Sequence, residues 1–176
     1  MTPIGPSSVT RRAVLTFALA ALPAVYASRA LAVDALPDAR FVGYAQTQND
    51  FEIASARLAL SKSGNENVRG YANRMLVEHD LAAQTLAKSR SEAGVTYAPD
   101  PNEPTVAVLR RLSSLEGPEF DVAYANAQLA AMTNAEAQYG AFSQAGQGGP
   151  LRRYAQEQYP KIRLHLEYAQ RMVGGL

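Results

Sequence analysis

The sequence predicts an all-α fold: an antiparallel four-helix bundle with one short crossing helix, behind an N-terminal export segment. Three observations carry this. Apolar residues recur at steps of three and four along four long stretches, the spacing that lines one face of a helix. No stretch alternates with period two over a useful length, so no sheet is expected. The stretches are separated by connections rich in Gly, Pro and Asn, which suit helix ends rather than strands.

Residues 1–32 read as a twin-arginine-type signal peptide and residues 33–176 as the bundle domain. Arg11 and Arg12 precede the apolar run from Ala13 to Ala27, and Ala30-Leu31-Ala32 is a small-x-small cleavage signal. Thr10-Arg11-Arg12-Ala13-Val14-Leu15, with Arg29 before the cleavage point, fits the twin-arginine route. An ordinary secretory signal with two arginines at its charged end is the alternative. The run is short for a membrane span and contains Pro23. There is no cysteine, which leaves no lipid-anchored cleavage site, no disulfide and no thiolate ligand. The expected product is free in the periplasm or secreted, with no stable membrane anchor after cleavage.

Charge supports that division. The chain has 17 Lys+Arg against 16 Asp+Glu, a net charge of +1. Removing Arg11, Arg12 and Arg29 lowers 17 to 14 against the same 16, a net charge of about −2. No basic face remains, so a nucleic-acid partner is not expected.

The first helix of the bundle is expected from Asp38 to about Lys62, with Phe41, Tyr44, Ala45, Gln48, Phe51, Glu52, Ser55, Leu58 and Ala59 on one face. Asp38 can cap its start, and Gly64 or Asn65 can take a left-handed conformation at its end. Asn65 or Asn67 can cap the second helix, Val68 to about Ala93, whose seam is Val68, Ala72, Met75, His79, Ala82 and Leu86. The short connection makes these two helices antiparallel neighbours. Gly94 to Pro104 is a proline-rich break, and Pro104 opens a short helix to Leu115 that covers the core with Val106, Leu109 and Leu112. After Gly117-Pro118 the third long helix runs from Glu119 to about Gln144, with Phe120, Tyr124, Ala127, Ala131, Asn134 and Ala141 as its stripe. A glycine-rich turn leads to the last helix, Leu151 to about Val173, seamed by Tyr154, Gln158, Ile162, His165, Ala169 and Met172. Pro160 lies inside it and should bend it.

Each long helix thus carries one polar residue at mid-stripe: Glu52, His79, Asn134 and His165. Glu52 lies twelve residues before Gly64 and His79 fifteen after it, so both are about 18–22 Å from that turn at 1.5 Å per residue. Asn134 and His165 lie about 21–25 Å from Gly148 by the same rise. All four can therefore meet in one layer. Ferritin-like carboxylate proteins build metal sites in this manner. Glu52, His79 and His165 would offer two imidazoles and a carboxylate to one divalent metal, iron, zinc or manganese, with Asn134 as a weak oxygen ligand or a support. The alternative is a buried hydrogen-bond network that fixes bundle register. Leu76 and Ile162 stand three residues before the histidines, so the Glu-x-x-His pattern of a dinuclear site is absent. Glu78 is turned about 100° from His79 and is expected in solvent. The tyrosines suit core edges, and no catalytic residue is identified: no serine elbow and no phosphate loop occurs.

Several segments resemble one family. Asn49-Asp50-Phe51-Glu52-Ile53-Ala54, Met75-Leu76-Val77-Glu78-His79-Asp80, the run from Leu115 to Tyr124, and Tyr159-Pro160-Lys161-Ile162-Arg163-Leu164-His165-Leu166 look like the domain-of-unknown-function 4142 family. The resemblance spans about Ala39 to Met172. It implies an exported bacterial protein of ferritin-like fold, with Glu52, His79 and His165 matching the family pattern. Many members carry a histidine in the third helix; here Met132-Thr133-Asn134 puts asparagine at or near that place.

Three functional readings remain open. The first is an exported ferritin-like bundle of undefined activity with an envelope or stress role. The second is a mononuclear metal-binding protein or oxidoreductase. The third is a periplasmic interaction module, paired with another envelope protein or with a second copy of itself.

Overall fold

A computed structural model describes residues 34–97 and 103–176. The expected signal peptide and residues 98–102 of the proline-rich break lie outside the described residues. Five helices form: α1 (Asp38–Lys62), α2 (Glu66–Ala93), α3 (Glu103–Ser113), α4 (Gly117–Ala145) and α5 (Pro150–Gly174). Among the described residues there is no strand. No helix among them is long and apolar enough to cross a membrane.

The local chemistry of the helix ends explains most boundaries. Asn65 caps α2, its side-chain oxygen accepting from the backbone N–H of Asn67 at 2.9 Å and of Val68 at 3.3 Å. Gly94 closes α2 in the left-handed region at φ 65°, where a Cβ would be strained. Pro118 and Pro150 sit in the first turns of α4 and α5, where a missing N–H costs nothing. Two expectations at α1 fail. Pro37 occupies the cap position, so Asp38 lies within the first turn and serves the helix dipole instead. The helix ends at Ser63 in an extended conformation, so neither Gly64 nor Asn65 turns left-handed.

The packing is a ring: α1 on α2, α2 on α5, α5 on α4 and α4 on α1. One apolar cluster joins Ala59, Val68, Phe120 and Met172, and a second joins Phe41, Leu86, Phe142 and Leu151. The ends brought together in each cluster make every neighbouring pair in the ring antiparallel. Residues 63–65 and 146–149 close the two hairpins. α2 and α4 point the same way, and α3, between them in sequence, lies on α1 and α4. Leu112 is buried and Val108 packs beside it, whereas Val106 faces out, contrary to expectation.

The seams of α2 and α5 are the expected ones; all six residues of each are buried. The seam of α4 is not. Its buried line runs Phe120, Tyr124, Gln128, Met132, Ala135, Tyr139 and Phe142, and Asn134 is exposed. Alanine is small enough for either face, so Ala127, Ala130 and Ala131 do not phase the helix. The large side chains do, because only they fill the ring's interior.

This register is directly testable by urea unfolding. Met132→Ala should lose about 2–5 kcal/mol, and Phe41→Ala, which removes a ring stacked 3.8 Å from Phe142, about 3–5 kcal/mol. Asn134→Ala should change stability by no more than about 0.5 kcal/mol. A large loss at Asn134 with none at Met132 would restore the expected stripe.

Candidate functional site

The two apolar clusters do not merge, because polar side chains occupy mid-height on α1, α2, α4 and α5. Gln48, Asn49, Glu52, Ser55, His79, Gln128, Gln158 and His165 are all buried. They form two groups rather than one.

The first group surrounds Glu52. Gln48, one turn earlier on α1, donates through Nε2 to Glu52 Oε1 at 2.8 Å. From α4, Gln128 donates through Nε2 to Ser55 Oγ at 3.0 Å and accepts from Tyr71 Oη on α2 at 3.1 Å. Ser55 Oγ donates to the Glu52 carbonyl at 3.2 Å. One glutamine therefore ties three helices. Glu52 is completely buried, and among the described residues no cation pairs with it. Burial pushes its carboxyl up to about 8, with the amides of Gln128 and Gln48 pulling the other way. Its Oε2 has no partner.

The second group holds the histidines. His79 donates through Nδ1–H to Asn49 Oδ1 at 2.9 Å. A carbonyl oxygen can only accept, so Nδ1 carries the proton and Nε2 presents a lone pair. His165 Nε2–H donates to Glu78 Oε2 at 2.9 Å, which leaves the lone pair on Nδ1. The two imidazoles therefore hold opposite tautomers. Their ring centroids are 5.5 Å apart at 43°. His79 Nε2 and His165 Nδ1 are both buried without a partner among the described residues, and both residues line one cavity of about 10 Å³. Asn49 Nδ2 reaches Tyr154 Oη at 3.4 Å, and Tyr154 Oη meets Tyr139 Oη at 3.4 Å. Burial lowers His79 to about 3, assisted by the neighbouring His165 and Lys161. Burial also lowers His165, against the opposing pull of Glu78.

The structure thus unites two of the four residues named from sequence, His79 and His165. Glu52 forms no hydrogen bond to either and does not line their cavity. Asn49 and Glu52 are three residues apart on α1, so they differ by about 60° in direction and about 4.5 Å in height. Asn49 faces α2 and α5; Glu52 faces α4. Asn134 joins neither group because it is exposed, and Gln128 supplies the polar position of α4. Glu78 is only a third exposed and reaches His165, contrary to its expected place in solvent. Among the described residues no group of three or more His, Asp or Glu side chains converges to hold a metal ion. Sequence reasoning missed Asn49, Glu78 and Gln128. The first two lie inside the segments that carry the family resemblance, and Gln128 falls midway between Tyr124 and Met132 at steps of four.

Opposed shifts give the belt a distinct pH signature. Glu52 holds its proton more tightly folded than unfolded, so its contribution is full below its usual 4.5 and is lost as pH rises towards about 8. His79 holds its proton less tightly when folded, so its contribution is present above its usual 6.5 and is lost as pH falls towards about 3. Between 4.5 and 6.5 the two oppose each other. Stability should therefore fall between pH 6.5 and 8 in the wild type, and Glu52→Gln should flatten that limb. His79→Gln should flatten the limb below pH 4.5. Parallel curves for wild type and Glu52→Gln across pH 6.5 to 8 would contradict the assignment.

Against known families, residues 20–172 match the family described as Domain of unknown function (DUF4142). Neither the curated proteins nor the solved structures contain a match. The matched span takes in α1 to α4, α5 as far as Met172, and both polar groups. With its helical bundle and its motif segments accounted for, this chain belongs to the DUF4142 family.

Proposed function

We propose that the chain is an exported bundle protein whose imidazole pair binds a single transition-metal ion. One observation carries the reading: two buried lone pairs, on His79 Nε2 and His165 Nδ1, belong to residues lining the same small cavity. Each histidine spends its other ring nitrogen on an oxygen acceptor, as metal-ligating imidazoles commonly do. His79 stays neutral at physiological pH, so no proton competes for its lone pair. Metal–nitrogen bonds of about 2.0–2.1 Å suit an ion between rings 5.5 Å apart. Glu78 favours a cation there and Lys161 at the rim opposes it. With Glu52 in the other group, the donors are imidazole nitrogens, which favour zinc or copper over manganese. Export rests on Arg11-Arg12, the apolar run after them and Ala30-Leu31-Ala32.

A second reading has its own support. The cavity's 10 Å³ is about the space of one water, and one water can donate to both nitrogens. The histidines would then be structural, fixing α2 against α5.

Titration calorimetry of untagged protein with Zn²⁺ and with Cu²⁺ separates the two. The metal reading predicts one site per chain, lost in His79→Ala and in His165→Ala and kept in Glu52→Gln. No binding by wild type, or binding that survives both histidine replacements, would overturn it in favour of the bridging water.

A further inference from the structure

We infer that Arg74 and Glu78 are positioning residues for the imidazole pair: together they decide which ring nitrogen of His165 is left free. This role rests on the metal reading of the pair, whose second donor it keeps available. Glu78 commits both of its carboxylate oxygens. Oε2 accepts from His165 Nε2–H at 2.9 Å, and Oε1 accepts from Arg74 Nη1 at 3.4 Å. His165 is buried, Glu78 a third exposed and Arg74 nearly half exposed, so the line runs from the core to solvent. Arg74 and Glu78 stand one turn apart on α2, the spacing at which side chains meet. The Arg74 guanidinium carbon also lies 4.9 Å from the centre of the Tyr168 ring, which holds it against α5.

The two histidines are set by different means. Asn49 fixes His79 through an amide whose NH₂ reaches Tyr154 Oη at 3.4 Å. An amide can face a ring with its oxygen or with its NH₂, so its partners decide its direction. A carboxylate accepts on both sides, so Glu78 admits only an N–H and leaves His165 with its lone pair on Nδ1. Arg74 can only donate, which gives a substitution at Glu78 a definite sign. In Glu78→Gln a single oxygen replaces two. The charge-assisted bond from Arg74 is about twice as strong as one from a neutral imidazole. The amide oxygen therefore turns to Arg74 and the NH₂ to His165. His165 Nε2 then becomes the acceptor, the proton moves to Nδ1, and the pair loses a donor.

Long-range ¹H–¹⁵N correlation on metal-free protein at pH 7 reads this directly. Glu78→Gln should convert His165 from Nε2–H to mainly Nδ1–H. His79 should keep its Nδ1–H form and so report an intact fold. Arg74→Met/Glu78→Gln should return His165 to Nε2–H, because the amide oxygen is then free to face the ring. Arg74→Met alone should leave both rings as in wild type. In calorimetry with Zn²⁺, affinity should fall about 10–100-fold in Glu78→Gln and recover in the double variant. A loss of packing would not be reversed by removing a second side chain. His165 staying Nε2–H in Glu78→Gln, or failing to return in the double variant, would overturn the proposal. Spectra that switch as stated in a protein that takes up neither Zn²⁺ nor Cu²⁺ would support the positioning role and sink the metal reading alone.

Discussion

The structure depends on placing a carboxyl group at the centre of a helical bundle without a cation beside it. Glu52 meets this constraint through burial that raises its carboxyl towards the neutral form and through contacts from the amides of Gln48 and Gln128. An ionised carboxylate in an apolar interior costs far more than a neutral one with partners. Gln48, Ser55, Gln128 and Tyr71 are the consequence: they come from three helices, and their hydrogen bonds require one relative height for α1, α2 and α4. Apolar packing alone tolerates a sliding helix better than such a network does. The separation of the core into two clusters accompanies the same group, because Gln48, Glu52 and Ser55 occupy this level on α1.

The histidines pose a different problem one turn away. Two neutral imidazoles have two N–H groups and two lone pairs to satisfy. Asn49 and Glu78 satisfy both N–H groups, and among the described residues nothing satisfies the lone pairs. A core shaped only for stability would offer a hydroxyl or amide donor at this point, as it does beside Glu52. The contrast between a nearly completed network and one left open within the same belt marks the histidine pair as the place where a water or an ion belongs.

Much of the fold was legible because bulky residues fix helical phase. Leu86 and Met75 orient α2, and Tyr154 and Ile162 orient α5, so both seams and both histidines were placed correctly. Alanine erased the phase of α4, which moved its polar centre from Gln128 to Asn134. The error over Glu52 has another origin. Counting residues from a turn gives height along a helix and says nothing about which neighbour a side chain faces. Asn49 and Glu52 are less than one turn apart yet address different helices, and only the ring order α1, α2, α5, α4 decides that. Glu78 illustrates the converse. A residue beside a buried one is in solvent only when the helix has one neighbour on that side; α2 has α1 at one flank and α5 at the other.

The most direct test of this account is the protonation state of the two imidazoles, read by long-range ¹H–¹⁵N correlation on metal-free protein at pH 7. Two neutral rings with opposite tautomers are predicted, His79 protonated on Nδ1 and His165 on Nε2. Matching tautomers, or a doubly protonated His79, would mean that the lone pairs are not those on His79 Nε2 and His165 Nδ1, and the open site would not exist.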